Sequence, residues 1–218
     1  MVRSFVFVKR DSRRCFALIR AVGITLRQFE ELQSRAHRKT PVSEVAACVA
    51  TAHSIILGID PSVRGTGYGL LRVTGRQLTA LAHGTVRCPA KWERSRCLAQ
   101  IARTIREQIQ QHQPTVCVVE GLFYAQNFQT ALIMGEARGA SLVAAAEAGL
   151  EIFEIAPRKV KQAVVGYGAA QKLAVAKMVQ RMLNLPEPPE ADAADALALA
   201  LAFMQTNSRH SLGQPKRV

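Results

Sequence analysis

A chain of 218 residues is long enough for one well-buried core and has no need of two. Lys and Arg number 29 against 16 for Asp and Glu, a formal charge of +13 in a chain that is 49% hydrophobic. That balance excludes a disordered basic tail and describes a folded domain with a basic surface. Its natural partner is an acidic polymer, nucleic acid before membrane, because no long amphipathic basic helix stands out. The five cysteines, Cys15, Cys48, Cys88, Cys97 and Cys117, are scattered and form no Cys-x-x-Cys pair. They read as buried apolar residues of a reducing compartment, against a zinc site or a disulfide framework. The longest purely apolar run, Ala196 to Met204, is far short of the roughly 20 residues a membrane helix requires. Ser4 to Val8 is too brief for an export signal, so the chain is expected in the cytoplasm, with no membrane partner.

Residues 1–53 differ from the rest. They hold ten basic and four acidic residues, a formal +6 that leaves +7 for the remainder, and their apolar residues keep no period. They are expected to be an N-terminal extension, either poorly ordered or ahead of the true start of translation, with a basic nucleic-acid-binding arm ranked third. A GTG start at Val49 would remove nearly all of them. The domain proper is expected to span 54–218.

Its first element is the apolar run Ile55 to Ile59, which suits a strand buried on both faces and closes on Asp60, before Pro61 and a glycine-rich turn. A turn residue beside proline is the plain reading of that aspartate. Thr66 to Thr74 and Gln77 to Cys88 follow as two strands joined at Gly75 and Arg76, which makes an antiparallel meander. Trp92 to His112 places Leu98, Ile101, Ala102, Ile105 and Ile109 three and four apart, an amphipathic helix laid on a sheet. Val116 to Val119 then form a second fully apolar strand that ends in Glu120. A strand reached through a helical crossover lies parallel to its neighbour, so adjacent strands would bring Asp60 and Glu120 to one sheet edge, where ligands of open α/β sheets bind.

Asn127 to Ala148 reads as a helix whose Gly135 and Gly139, one turn apart, point equally to close core packing or to a subunit interface. Glu151 to Ala156 is a fifth strand, and Pro157 opens a basic segment holding Arg158, Lys159 and Lys161. Gly166, Tyr167 and Gly168 interrupt it before a helix over Lys172 to Leu183. In the last helix, Glu190 to Gln205, Asp192 and Asp195 stand three apart at the positive end, and the alanines around them let that end press close to a sheet. An acidic cap is the plain reading of the pair. Four clustered carboxylates, however, cannot all ionise near neutral pH without compensating positive charge. A hard divalent cation supplies it, Mg²⁺ above all, and a pair of such ions can activate water and stabilise the leaving oxygen of a phosphodiester.

The runs ILGIDPSVRGTGYGLL, VVEGLFYAQN, APRKVKQAVVGYGAAQK and EADAADALA, in that order from Ser54 to about Gln205, resemble the RuvC family of Holliday-junction resolvases. The resemblance implies an α/β, RNase H-like fold with a mixed five-stranded sheet flanked by helices. It implies that Asp60, Glu120, Asp192 and Asp195 are the metal-binding catalytic carboxylates, for two Mg²⁺ ions per site with Mn²⁺ as a substitute. It further implies a homodimer that nicks a four-way DNA junction symmetrically, beside the RuvA and RuvB branch-migration proteins. By position, Lys161 and Lys172 resemble lysines near the family's active site, and Phe123, with Tyr124 as its substitute, an aromatic that stacks on an unpaired base. Arg158 and Lys159 join them as expected DNA contacts. Ser62 departs from the glycine that many members carry after Asp-Pro. Three rivals remain: an RNase H-like nuclease on another substrate, a non-catalytic junction binder, and an actin-like ATPase, whose second phosphate loop this chain lacks.

Overall fold

The computed structural model describes residues 53–121, 128–208 and 215–218. Phe123 and Tyr124 lie outside the described residues, and so does the N-terminal extension apart from His53. That histidine stacks obliquely on Phe203, with ring centroids 5.8 Å apart.

Three strands open the domain: β1 (Ile55–Asp60), β2 (Gly65–Thr74) and β3 (Gln77–Arg87). Helix α1 (Arg94–His112) leads to β4 (Val116–Glu120), and α2 (Phe128–Glu147) leads to β5 (Glu151–Ile155). Then come α3 (Pro157–Val165), α4 (Lys172–Leu183), α5 (Ala191–Ser208) and β6 (Lys216–Arg217). The strands form one mixed sheet in the order β3-β2-β1-β4-β5-β6. All five expected strands are present, and β6 adds a sixth of two residues, antiparallel to β5. β1 and β4 are parallel neighbours, with Ile59 opposite Val119, as the crossover through α1 requires.

Strand alternation divides the core in two. Leu57, Ile59, Cys117 and Val119 face α1 and α2, where Cys97, Ile101, Ile105 and Ile109 line up at every fourth position of α1. Ile56, Val116 and Val118 face α3, α4 and α5 together with Leu71 and Val73. Each such side chain, fully buried, contributes about 1.5–3 kcal/mol. Gln113, in the left-handed conformation, ends α1 by donating its backbone N–H to the Ile109 carbonyl. Cys88, Cys97 and Cys117 are free and buried.

The glycines after Asp60 have a use that their expected place in a turn and strand did not reveal. The strand expected from Thr66 begins one residue earlier, so that Gly65, placed in the turn, is with Gly67 and Gly69 a strand residue of β2. At spacing two they share one face, and Gly69 pairs with Gly58 of β1. A methyl group at Gly58 would run into the Ala196 carbonyl, one at Gly67 into the Asp192 carbonyl, and one at Gly69 into the Leu197 side chain. The glycines form a smooth track on which the backbone of α5 rests. Ala193, Ala194, Ala196, Ala198 and Ala200, all buried, keep the helix side of the contact thin.

Candidate active site

Asp60 is the last residue of β1 and Glu120 the last of β4. The register continues one step past Ile59 and Val119, so the two carboxylates end adjacent strands at the same level. Both alternate with Ile59 and Val119, on the face shared by Ile56, Val116 and Val118, and so project toward α5 rather than toward α1. The turn beyond Asp60 is closed by Thr66, buried, whose hydroxyl donates to the Ser62 carbonyl and accepts the Ser62 N–H at 3.1 Å. Ser62 does not have a positive φ, so its departure from glycine leaves the turn unstrained.

Asp192 lies in the first turn of α5, where the helix dipole favours a carboxylate. Gly65 makes room for it, since a methyl group there would come within 2.8 Å of its Oδ2. Asp195, one turn on, points to the same side. Asp60, Glu120, Asp192 and Asp195 all line one cavity of about 380 Å³, with Lys161, Lys172, Pro157, Val160 and Met134 among its other walls. The expected grouping of the four carboxylates and two lysines is therefore present. Arg158 and Lys159 do not reach it: both are exposed on α3, and Lys159 lines a separate pocket beside Glu154 and Lys216.

The electrostatics of the cavity follow from this crowding. Burial first, then the charges of Glu120 and Asp195, push the Asp60 carboxyl up to about 8, with Lys172 pulling the other way. Glu120 is also raised, mainly by burial, and a hydrogen bond joins the two carboxyls. Two buried carboxyls in contact do not both ionise at neutral pH, so they share a proton. Lys172 Nζ sits 3.0 Å from Asp195 Oδ2, and this bond holds the ammonium above the usual lysine range. Lys172 is the first residue of α4, where the helix dipole disfavours a cation. The neighbouring aspartates offset that cost.

Among the described residues, no three His, Cys, Asp or Glu side chains already stand in a metal-holding arrangement. The donor set nonetheless suits a hard divalent cation. It consists of carboxylate oxygens alone, and burial together with the neighbouring negative charges holds Asp60 and Glu120 above the ordinary carboxyl range, a cost that a cation would offset.

Sequence reasoning missed one polar residue at this edge, Arg138 of α2. Its guanidinium is buried and donates to the Glu120 backbone carbonyl at 3.0 Å and to Glu154 Oε2 at 2.6 Å. The only signal was a lone arginine in an Ala-Gly helix, which spacing could not connect to β4 or β5.

Comparison with known proteins gives concordant results. The family model described as crossover junction endodeoxyribonuclease RuvC matches residues 56–203. The chain is 50% identical over 154 residues to the crossover junction endodeoxyribonuclease RuvC of Vibrio parahaemolyticus, covering 71% of this chain and 88% of that protein. With the RuvC of Pasteurella multocida it shares 45% identity over 172 residues, covering 75% and 90%. Among solved structures it resembles T. thermophilus RuvC in complex with Holliday junction substrate, with a TM-score of 0.69 at 33% identity, covering 76% of this chain and all of that one.

Proposed function

The chain belongs to the RuvC family and is a crossover junction endodeoxyribonuclease, resolving Holliday junctions in DNA recombination and repair, and we propose that Asp60, Glu120, Asp192 and Asp195 are its catalytic carboxylates. The observation that carries this reading is their convergence: two strand-end carboxylates face two helix aspartates across one cavity walled by two lysines. Nuclease chemistry at a phosphodiester needs a hydroxide at neutral pH and positive charge at the leaving oxygen. When bound, two Mg²⁺ ions, or Mn²⁺ in their place, supply both.

The protein's own groups do the rest. The four carboxylates would hold the cations, which would compete with the proton shared by Asp60 and Glu120. Lys172 and Lys161 stand on the cavity wall, charged and within reach of a phosphate seated there, where they hold its non-bridging oxygens. Arg158 and Lys159, exposed on α3 outside the cavity, contact backbone phosphates of a junction arm. Phe123, with Tyr124 as its substitute, stacks on a base at the opened crossover.

Paired, symmetric nicks need two such sites, hence a homodimer. Support comes from α2, which presents Leu132 and Val143, each 52% exposed, on one face. Gly135 and Gly139 lie between them, and among the described residues nothing comes within 4 Å of a methyl group placed at either. Among the described residues these glycines pack against no other element, which favours the subunit-interface reading of the helix. RuvA and RuvB are the partners that family membership suggests, and the cytoplasm is the proposed location. Among the described residues no helix is long and apolar enough to cross a membrane.

The test is strand nicking of a synthetic four-way junction, with and without Mg²⁺, comparing the protein with Asp60→Asn and using linear duplex as competitor. Mg²⁺-dependent paired nicks lost in the variant while junction binding survives support the assignment. Undiminished nicking by the variant overturns it.

A further inference from the structure

Arg138 is only 7% exposed, and its guanidinium ties three elements together. From α2 it donates through Nη1 to the backbone carbonyl of Glu120, the last residue of β4. Through Nη2 it bonds Glu154 Oε2 of β5. The other end of the same peptide is held as well, because Gly121 donates its N–H to the Ile155 carbonyl at 2.9 Å. Gly121 has no room for a side chain: a methyl group there would come within 2.9 Å of Glu154 Oε1. Glu154 and Ile152 lie on the α1–α2 face of the sheet, so the whole clamp lies on the opposite side from the carboxylate cavity.

A buried ion pair is a poor source of stability, since apolar residues of matching volume do as well or better. What this pair does supply is direction. The peptide that follows Glu120 is tied to β5 at its N–H end by Gly121, and Arg138 ties its carbonyl end to α2, so the two bonds together fix the backbone from which the Glu120 side chain departs. We propose that Arg138, oriented by Glu154, is a positioning residue that fixes the terminal peptide of β4 so that the Glu120 carboxylate points into the cavity. The inference rests on the reading of Glu120 as a metal-holding carboxylate, and it extends that reading to two residues with no contact with substrate or cation. Arg138 also rides on α2, the helix with the exposed apolar face, so a shift of that helix is passed to Glu120.

The experiment replaces the pair by apolar residues in Arg138→Met/Glu154→Leu, with Arg138→Lys and Glu120→Gln beside it. Four readouts are taken: thermal melting, junction affinity, nicking rate at saturating junction against Mg²⁺ concentration, and Mg²⁺-induced stabilisation without DNA. The double variant is expected to melt near the parent and bind the junction within about threefold. Its nicking should fall about 10- to 100-fold, the half-saturating Mg²⁺ should rise several-fold, and the Mg²⁺-induced rise in melting temperature should shrink. A purely structural pair predicts the contrary, with activity returning together with stability. Wild-type nicking and Mg²⁺ dependence in the double variant overturn the proposal. Should that variant fail to fold, Arg138→Lys decides. A lysine reaches one acceptor but not both, so an intermediate loss supports the role and wild-type behaviour overturns it. Glu120→Gln separates the two layers: if it nicks at the parent rate, the carboxylate reading itself falls. If it is inactive while the double variant is unimpaired, only the role of Arg138 falls.

Discussion

Lys172 and Asp195 meet at 3.0 Å in the wall of the cavity, a lysine at the start of one helix neutralising an aspartate near the start of the next. The ammonium offsets the negative charge of the carboxylates that line the cavity with it, and in the proposed function it meets the phosphate. Lys172→Met should therefore lower nicking at saturating junction about 10²-fold, with junction affinity changed by less than about threefold. Single-turnover nicking alongside a binding titration measures both. An equal loss in affinity and rate would assign the lysine to binding alone.

Protons and cations compete for the same oxygens. Burial and the neighbouring carboxylates push Asp60 up to about 8, so below that pH a cation must displace a proton to enter. The Mg²⁺ needed for half-maximal nicking should fall as pH rises from 6 toward 8, by up to about tenfold per pH unit for one proton displaced, and then level off. A requirement flat across this range would mean that Asp60 titrates outside the metal site.

The same shift bears on stability without metal. A carboxyl with a folded-state value near 8 against an ordinary 3.8 binds its proton more tightly in the folded chain than in the unfolded one. Its contribution is therefore full below about pH 4 and is lost as pH rises toward 8. In chelator at pH 8, Asp60→Asn should be more stable than the parent by about 1 kcal/mol or more, roughly 2–4 °C in melting temperature. Near pH 4 the two should converge. Melting curves at the two pH values test the sign directly.

The glycine track gives a structural prediction. Gly67→Ala places a methyl group against the Asp192 carbonyl, so the start of α5 must lift from the sheet. The variant should lose about 1–3 kcal/mol, and nicking should fall further than that loss explains, because Asp192 and Asp195 move with the helix. Denaturant unfolding and nicking of the folded fraction separate the two effects.

On α2, Leu132→Glu combined with Val143→Glu should leave the melting temperature of the chain nearly unchanged, since both positions are half exposed. Sedimentation should shift from dimer to monomer, and paired nicks should give way to single, uncoupled ones. A dimer that persists in the double variant would place the interface elsewhere.

Much of this architecture is legible in the residues because it is local. Apolar runs of four or five residues mark β1 and β4, the Ile101, Ile105 and Ile109 spacing marks α1, and the crossover rule makes β1 and β4 parallel. Together these place Asp60 and Glu120 at one edge. What escapes is whatever depends on distant elements meeting. Gly58, Gly67 and Gly69 read as isolated strand residues and Gly65 as part of a turn, and nothing joins them into a track until α5, well over a hundred residues later, is seen lying on it. Arg138 reads as one more surface charge until α2 is set against the end of β5. β6 is too short to carry any period, and only pairing with Phe153 and Glu154 makes it a strand.

The contact between α5 and the glycines of β1 and β2 has a bearing on how the protein tolerates change. Where layers are separated by side chains, the distance between them drifts as Leu, Ile and Val replace one another over generations. Between Asp60 and the aspartate pair of α5 that spacer is missing, because backbone meets backbone at Gly58 and Gly67. The separation is thus set by van der Waals radii that no substitution elsewhere can alter. The rest of the core is free to vary in composition without detuning the geometry of the carboxylates, and the burden of constancy falls on a few residues that have no side chain to vary.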